Sequence, residues 1–257
     1  MNVPALSIIA LDKRFGPVAI LRGLTLQIPA GERWAIIGPN GAGKSLLLNL
    51  LSGFAKVSTG DIYLHGTKIN GLTPQAINRL GLARSFQTTS IFSRLSVHDN
   101  LRCAVLWGCG VRYCFWRRLN RLPTVAKRVE EILEQIGLAH RRSKAAGLLS
   151  YAEQRALELG ITIAGNADII LLDEPTAGLN RAQADASIEL IRNVTIGKTL
   201  VMVEHDMQAV FSLADRVAVL VQGEIIACDT PANVRMNPLV QRAYLGQNLP
   251  LCHTHAA

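Results

Sequence analysis

Short runs of apolar residues, separated by turn-forming residues, recur along the chain and predict β-strands. Nine runs stand out, at residues 6–10, 24–28, 34–37, 60–66, 82–86, 168–172, 199–203, 217–221 and 224–227. The runs at 168–172 and 199–203 are apolar at nearly every position, which is typical of strands that are covered on both faces. The last two runs flank Gln222-Gly223 and are expected to form a hairpin.

Capping residues and apolar periodicity predict helices between these strands. Thr73 and Pro74 open one helix, and Ser150 with Glu153 forms the capping box of another. Apolar residues at helical spacing over residues 125–136 predict a third helix. Further helices are expected at residues 46–51, after a second capping box at 96–99, at 181–193 and after Thr230-Pro231. Because strands alternate with helices, the pattern predicts an α/β fold with a largely parallel sheet.

A glycine-rich loop joins the run at 34–37 to the helix at 46–51 and fits the phosphate-binding pattern G-x-x-x-x-G-K-[ST]. Glycine lets the backbone wrap around phosphate oxygens, and the backbone amides and helix N-terminus direct partial positive charge at the anion. Lys44 adds a full charge on the outer phosphates, and the Ser45 hydroxyl can ligate Mg²⁺. The predicted phosphate-binding residues are Gly38, Pro39, Asn40, Gly41, Ala42, Gly43, Lys44 and Ser45.

Polar residues follow three other predicted strands, and ligands of open α/β sheets gather at the carboxyl ends of strands. Asp173 is expected to act at Mg²⁺, and Glu174, one residue further out, is the candidate general base toward the attacking water. His205 can contact the terminal phosphate and hold that water. Gln87 offers an amide oxygen to the metal and a donor to the water. Phe15 is either a core residue or a ring that stacks on a nucleobase.

Composition places the chain among globular proteins. It has 257 residues, of which 49% are apolar, which is enough for one large domain or a core with an insert. No apolar run approaches the roughly 20 residues of a membrane span, and the N-terminus lacks the features of a signal peptide. The five cysteines lack C-x-x-C spacing and are expected to be free thiols in a reducing compartment.

The net charge of +8 is unevenly distributed. Seven arginines and lysines, and no acidic residue, fall between Leu101 and Val129. Two interpretations are open: a solvated basic face, or a contact with a membrane or an acidic partner.

In these motifs the chain resembles the ATP-binding subunit of an ABC transporter, over nearly its whole length. The matching motifs are Walker A at 38–45, the Q-loop at Gln87, the signature at 149–155, Walker B at 168–174, the D-loop at 177–180 and the switch histidine at His205. The resemblance implies a P-loop NTPase with a mostly parallel RecA-like core sheet, an antiparallel β region and an inserted helical subdomain at about 91–164. It implies a single domain over residues 1–248, followed by a loose tail at 249–257, and it makes Phe15 the adenine-stacking aromatic.

The resemblance also implies a mechanism and partners. Two such subunits, identical or related, face each other head to tail around two ATP molecules, with Mg²⁺ as the metal. Ser150 and Ala152 of one subunit address the phosphate that the other subunit holds. Expected partners are integral membrane permease subunits and, indirectly, a periplasmic or extracellular substrate-binding protein; we do not expect nucleic acid. The expected location is the cytoplasmic face of the cell membrane.

The signature, the D-loop and the segment around 242–246 resemble the ATP-binding subunits of branched-chain amino acid importers, with urea and amide importers as the alternative. A non-transport ABC protein and a regulatory subunit with little turnover are the other open interpretations. Ala152 stands where the signature usually carries glycine. We expect its methyl group to crowd the phosphate and a positive φ at this residue to be costly. Slow ATP hydrolysis is therefore expected.

Overall fold

Two β-sheets organise the chain, and the computed structural model describes residues 3–85, 91–108, 123–165 and 167–245. The strands are β1 Leu6–Phe15, β2 Val18–Ile28, β3 Arg33–Ile37, β4 Thr59–Leu64, β5 Thr67–Lys68, β6 Leu82–Arg84, β7 Ile169–Asp173, β8 Thr199–Val203, β9 Arg216–Val221 and β10 Glu224–Asp229. One sheet has the order β2-β1-β4-β5 and is antiparallel. The other has the order β10-β9-β3-β8-β7-β6 and is parallel except for β10. The mostly parallel core sheet and the antiparallel region are therefore as predicted.

The central strands have apolar residues at nearly every position because both of their faces are buried. Every residue of β7 and β8 is buried, because helices or the other sheet cover both faces. One apolar cluster lies between the two sheets and includes Leu47 and Leu51 of the helix after the glycine loop. A second cluster lies on the other face, where Ile170 and Met202 contribute.

The helices are α1 Lys44–Leu51, α2 Pro74–Arg79, α3 Val97–Gly108, α4 Pro123–Gln135, α5 Tyr151–Ile163, α6 Arg181–Val194, α7 Met207–Leu213, α8 Pro231–Met236 and α9 Pro238–Leu245. The Thr73 side chain caps α2, and Thr230 caps α8. Both bonds of the predicted capping box at Ser150 are present at the start of α5. The part of the chain that the structure describes has no helix long and apolar enough to cross a membrane.

Helices α3, α4 and α5 enclose a third apolar cluster, which contains Val97, Leu101, Val129, Ile132 and Leu157. These helices follow β6 and precede β7 in the chain, so they form an insertion between two neighbouring strands of the parallel sheet. The insertion has its own core, as the inserted helical subdomain of the sequence analysis requires.

Three local predictions were incomplete. The first two strands are far longer than residues 6–10 and 24–28, because they form one continuous hairpin whose edges include exposed polar positions. Two helices follow Thr230 instead of one, since Pro238 starts α9 after a break at Asn237. The fifth predicted strand, residues 82–86, is shorter: β6 ends at Arg84, and residue 86 lies outside the described residues.

Candidate active site

The register of the parallel sheet brings the glycine loop, Asp173, Glu174 and His205 to one edge. Strand β8 lies between β3 and β7, and Val203 at its end pairs with both Ile36 and Asp173. The glycine loop, Glu174 and the segment after Val203 therefore all leave the sheet at the same level. This edge is where ligands of such sheets bind.

The glycine loop needs its glycines for two separate reasons. Gly41 and Gly43 have φ values of +80° and +103°, in the region that disfavours side chains. A Cβ on Gly38 would lie 2.0 Å from the backbone oxygen of Leu220. Asn40 and Ser45 are exposed, so the tip of the loop and the first turn of α1 are accessible to a ligand. The positive end of the α1 dipole faces the same space.

Lys44 is buried, and its ammonium group donates hydrogen bonds to the carbonyl oxygens of Gly38 at 2.7 Å and Pro39 at 3.0 Å. Burial lowers the pKa of Lys44, and the negative charges of Glu174 and Asp173 oppose this effect. The electrostatic coupling indicates that the lysine and both carboxylates share one local environment. A phosphate there would meet a cation that the protein already holds close to the loop backbone.

Asp173 is buried at the end of β7 and forms an ion pair with Arg84, whose Nη2 lies 3.0 Å from Oδ2. The second terminal nitrogen of Arg84, Nη1, donates to Asn49 at 2.7 Å and Ser52 at 2.9 Å, both near the end of α1. Burial raises the pKa of Asp173, and the Arg84 charge acts against it. Oδ1 of Asp173 is buried and accepts no hydrogen bond from the described residues. That oxygen is a free acceptor beside the phosphate loop.

Glu174 has a φ of +49°, a left-handed conformation that is rare for residues with a side chain. Its backbone N–H donates to the Val203 carbonyl at 2.9 Å, which holds this conformation in place. Oε1 of Glu174 lies 3.7 Å from Nδ1 of His205, whose side chain is 60% exposed. Backbone strain at a carboxylate of this kind commonly marks a functional position.

Residues of the signature lie at the start of α5. Ser150 is exposed at the N-cap, and Ala152 sits in the first turn with ordinary helical geometry, since it is not among the described residues with positive φ. The expected backbone strain at Ala152 was therefore wrong, because a helical residue needs no positive φ. Tyr151 donates its hydroxyl proton to the carbonyl of Ala177, so the signature contacts the D-loop within one subunit.

The two remaining predicted residues differ in outcome. Phe15 is 57% exposed at the tip of the β1–β2 hairpin, with the Lys13 ammonium 4.6 Å from its ring centroid. Its interpretation as a core residue is thus wrong. Gln87 lies outside the described residues, as do residues 109–122 of the basic stretch.

Two residues of the site escaped the sequence analysis. Arg84 and Glu204 are buried charged residues beside Asp173 and His205. A signal existed for each: Arg84 interrupts the apolar run at 82–86, and Glu204 directly follows the apolar run at 199–203. Buried charges require partners, so a charged residue within or directly after an apolar run is a signal that could have identified both residues.

A glycine loop before a helix, with carboxylates and a histidine at neighbouring strand ends, defines a P-loop nucleotide-binding protein. A family model described as ABC transporter matches residues 21–177, well over half of the chain. A second model, described as branched-chain amino acid ATP-binding cassette transporter, matches residues 224–248. The chain belongs to the ABC transporter family, and it is an ATPase that binds ATP.

Two named relatives match nearly the whole chain. The high-affinity branched-chain amino acid transport ATP-binding protein LivG of Escherichia coli (strain K12) is 35% identical over 96% of this chain and 100% of LivG. The corresponding protein BraF of Pseudomonas aeruginosa is 34% identical with the same coverage. Among solved structures, a nucleotide-free ATP-binding cassette from an ABC transporter superposes with a TM-score of 0.81 at 27% identity, covering 94% of this chain and 98% of that one. An ADP-bound cassette gives 0.80 at 28% identity, with coverages of 95% and 99%.

Proposed function

We propose that this ATPase powers an ABC importer whose cargo is a branched-chain amino acid. The observation that carries the proposal is the full-length similarity to LivG and BraF, whose names specify that transport. The match of residues 224–248 to the branched-chain model supports the same subgroup. Residues 224–245 of that match form β10, α8 and α9, at the end of the described chain.

The site residues have distinct proposed roles. The backbone amides of the glycine loop and the Lys44 ammonium bind the β- and γ-phosphates of ATP. Glu174 accepts a proton from the attacking water, and His205 keeps that water and the terminal phosphate in line. Lys44 stabilises the negative charge that spreads over the phosphoryl oxygens in the transition state. The 3.7 Å separation of Glu174 and His205 lets both side chains reach one water.

The described residues fit a magnesium ion. Oδ1 of Asp173 is buried and receives no hydrogen bond from the described residues, so an oxygen ligand is available. Ser45 and Gln87 are the other proposed ligands. Magnesium is usually bound through one or two carboxylates and completes its shell with phosphate and water, so the single carboxylate of Asp173 is compatible with such a site. When bound, the ion neutralises phosphate charge.

A second copy or a related cassette is the proposed first partner. Ser150 is exposed at the N-terminus of α5, so its hydroxyl and the first-turn amides are accessible to a phosphate from outside the subunit. Ala152 lies in that turn as well. His205, with 60% of its side chain exposed, also faces outward. These residues suit a head-to-tail pair in which each subunit completes the other's site.

The remaining partners are proposed from the family. Permease subunits would dock on the inserted helices at the cytoplasmic face of the membrane, and a periplasmic or extracellular binding protein would deliver the cargo to them. The basic stretch between Leu101 and Val129 suits an acidic membrane surface. Reversal of Arg117 and Arg118 to glutamate is expected to weaken copurification with the permease subunits. Unchanged copurification would contradict a contact there.

Glu174→Gln tests the catalytic assignment. The variant should retain ATP binding, because the phosphate loop is intact, but its turnover should fall by about 10²–10⁴-fold, the usual contribution of a general base. Glu189→Gln, a change at an exposed α6 carboxylate, is the matched control and should hydrolyse ATP like the wild type. Equal turnover in all three proteins would refute the assignment.

Uptake measurements with the complete transporter test the cargo. Vesicles that contain this ATPase and its permease subunits, with the binding protein outside, should accumulate labelled leucine when ATP is inside with the cassette. Labelled urea is the comparison, because urea and amide importers have similar cassettes. Accumulation of urea without leucine would overturn the proposed cargo while leaving the ATPase assignment intact.

A further inference from the structure

Glu204 directly follows β8, and its side chain is fully buried. The carboxylate accepts four hydrogen bonds. Oε1 accepts from the backbone N–H of Thr176 at 3.0 Å and from its hydroxyl at 2.7 Å. Oε2 accepts from the backbone N–H groups of His205 at 3.1 Å and Asp206 at 3.3 Å.

The two oxygens of this carboxylate contact different segments of the site. Thr176 follows Glu174 by two residues and leads into the D-loop. His205 and Asp206 belong to the segment after β8, and Asp206 caps α7. One buried carboxylate therefore links the backbone that carries Glu174 to the backbone that carries His205.

The charge of Glu204 is stabilised by these donors, since the ion pairs among described residues do not include it. Burial of a carboxylate costs free energy unless its oxygens accept hydrogen bonds. If either segment moved away from Glu204, a buried carboxylate oxygen would lose its donors, and that loss is unfavourable. The arrangement resists separate motion of the two segments. Glu204 itself does not contact the phosphate loop through any hydrogen bond of its carboxylate in the described chain.

We propose that Glu204 is a positioning residue that holds Glu174 and His205 in the relative placement needed for hydrolysis. The inference rests on the roles proposed above for those two residues. Glu204 acts on the catalytic step and leaves ATP binding to the phosphate loop. Loss of the hydrogen bonds of Glu204 should therefore lower kcat and leave KM for ATP nearly unchanged.

Glu204→Gln is the principal test. Glutamine keeps the shape but presents an amide NH₂ to one of the two donor pairs, and that group cannot accept from backbone N–H groups. A displacement of about 1 Å at a reacting group can cost about 10²-fold, so kcat should fall roughly 10- to 100-fold, with KM for ATP within about twofold of the wild type. A wild-type kcat in a folded Glu204→Gln protein would overturn the proposal.

A double-mutant cycle with His205→Ala separates positioning from mere support of the fold. If Glu204 acts through His205, adding Glu204→Gln to His205→Ala should lower kcat by less than it does in the wild type. A purely structural residue would give the same fold-loss in both backgrounds, together with a lowered Tm. Equal fold-losses would therefore refute positioning through His205.

Thr176 provides a second route if Glu204→Gln does not fold. Thr176→Val removes one of the four bonds and should reduce kcat by a smaller factor than Glu204→Gln, while Thr176→Ser keeps the hydroxyl and should behave like the wild type. Equal kcat for the valine and serine variants would contradict the inference. Glu174→Gln distinguishes the role of Glu204 from the proposed catalytic site. Wild-type turnover of Glu174→Gln would refute the catalytic site. An inactive Glu174→Gln together with a fully active Glu204→Gln would refute only the role of Glu204.

Discussion

Nη2 of Arg84 lies 3.0 Å from Oδ2 of Asp173, and both side chains are more than nine-tenths buried. The pair joins β6 to β7, and Arg84 also donates to Asn49 and Ser52 at the end of α1. Strands β6 and β7 and the end of α1 thus meet at one guanidinium group. Arg84 pairs with one oxygen of Asp173, and the other oxygen is buried and accepts no hydrogen bond from the described residues.

Replacement of Arg84 by methionine is expected to lower the free energy of unfolding by about 3–5 kcal/mol, because Asp173 would remain as a buried carboxylate without its charge partner. Urea unfolding at pH 7 measures the change. The double variant Arg84→Met/Asp173→Asn removes both charges and should recover part of the loss. A double variant that is no more stable than Arg84→Met would contradict this account.

Replacement of Ala152 by glycine separates two effects of the alanine methyl group. Because Ala152 is helical, glycine should lower the free energy of unfolding by about 0.5–1 kcal/mol. If the methyl crowds the phosphate held by a partner subunit, the glycine variant should hydrolyse ATP several-fold faster despite this loss. Steady-state ATPase assays measure the rate, and unchanged or slower hydrolysis would show that the methyl group is not the obstacle.

Replacement of Phe15 by alanine should weaken ATP binding without destabilising the fold, since the ring is 57% exposed. Stacking of a base on an aromatic ring contributes about 1–3 kcal/mol, which corresponds to a Kd increase of roughly 5- to 150-fold. Phe15→Tyr keeps the ring and is the matched control. Equilibrium binding of ATP to the three proteins is the measurement. Equal affinity of the alanine and tyrosine variants for ATP would contradict stacking of the adenine base on Phe15.

The stability contributed by Glu153 should depend on pH. Hydrogen bonds from the backbone N–H of Ser150 and from Arg141 lower the pKa of Glu153 from 4.5 to about 2. Because the folded state has the lower pKa, the contribution is complete above pH 4.5 and is lost as the pH falls from 4.5 toward 2. Near neutral pH, Glu153→Ala should cost about 1 kcal/mol, the usual value of a capping interaction.

Unfolding experiments at pH 7, 5 and 4 check this dependence. The difference between the wild type and Glu153→Ala should narrow at pH 4, close to the ordinary pKa of 4.5. Glu153→Gln is the control, because glutamine retains the backbone bond of a capping box without a titrating charge. A difference that widens on acidification would contradict the lowered pKa.

Patterns confined to neighbouring residues made much of this molecule predictable. The glycine loop, the capping box at Ser150 and the apolar runs of β7 and β8 are all local, and the structure confirms each element. Their order along the chain also indicated the ABC transporter family, which the match over residues 21–177 confirms. Predictions failed where the chain lacked a local signal, as at the extended β1–β2 hairpin, whose polar edge positions resemble loop sequence.

The sequence by itself determined which chemical groups are present and which strands carry them to the edge of the sheet. Only the tertiary structure decided how those groups pair: Arg84 with Asp173, 89 residues apart, and Glu204 with Thr176, 28 residues apart. Such partners depend on the register of β6, β7 and β8, which is set by packing of the whole core. The periodicity of apolar residues describes a single helix or strand. It carries no information about which residue of another element will pair with a buried charge.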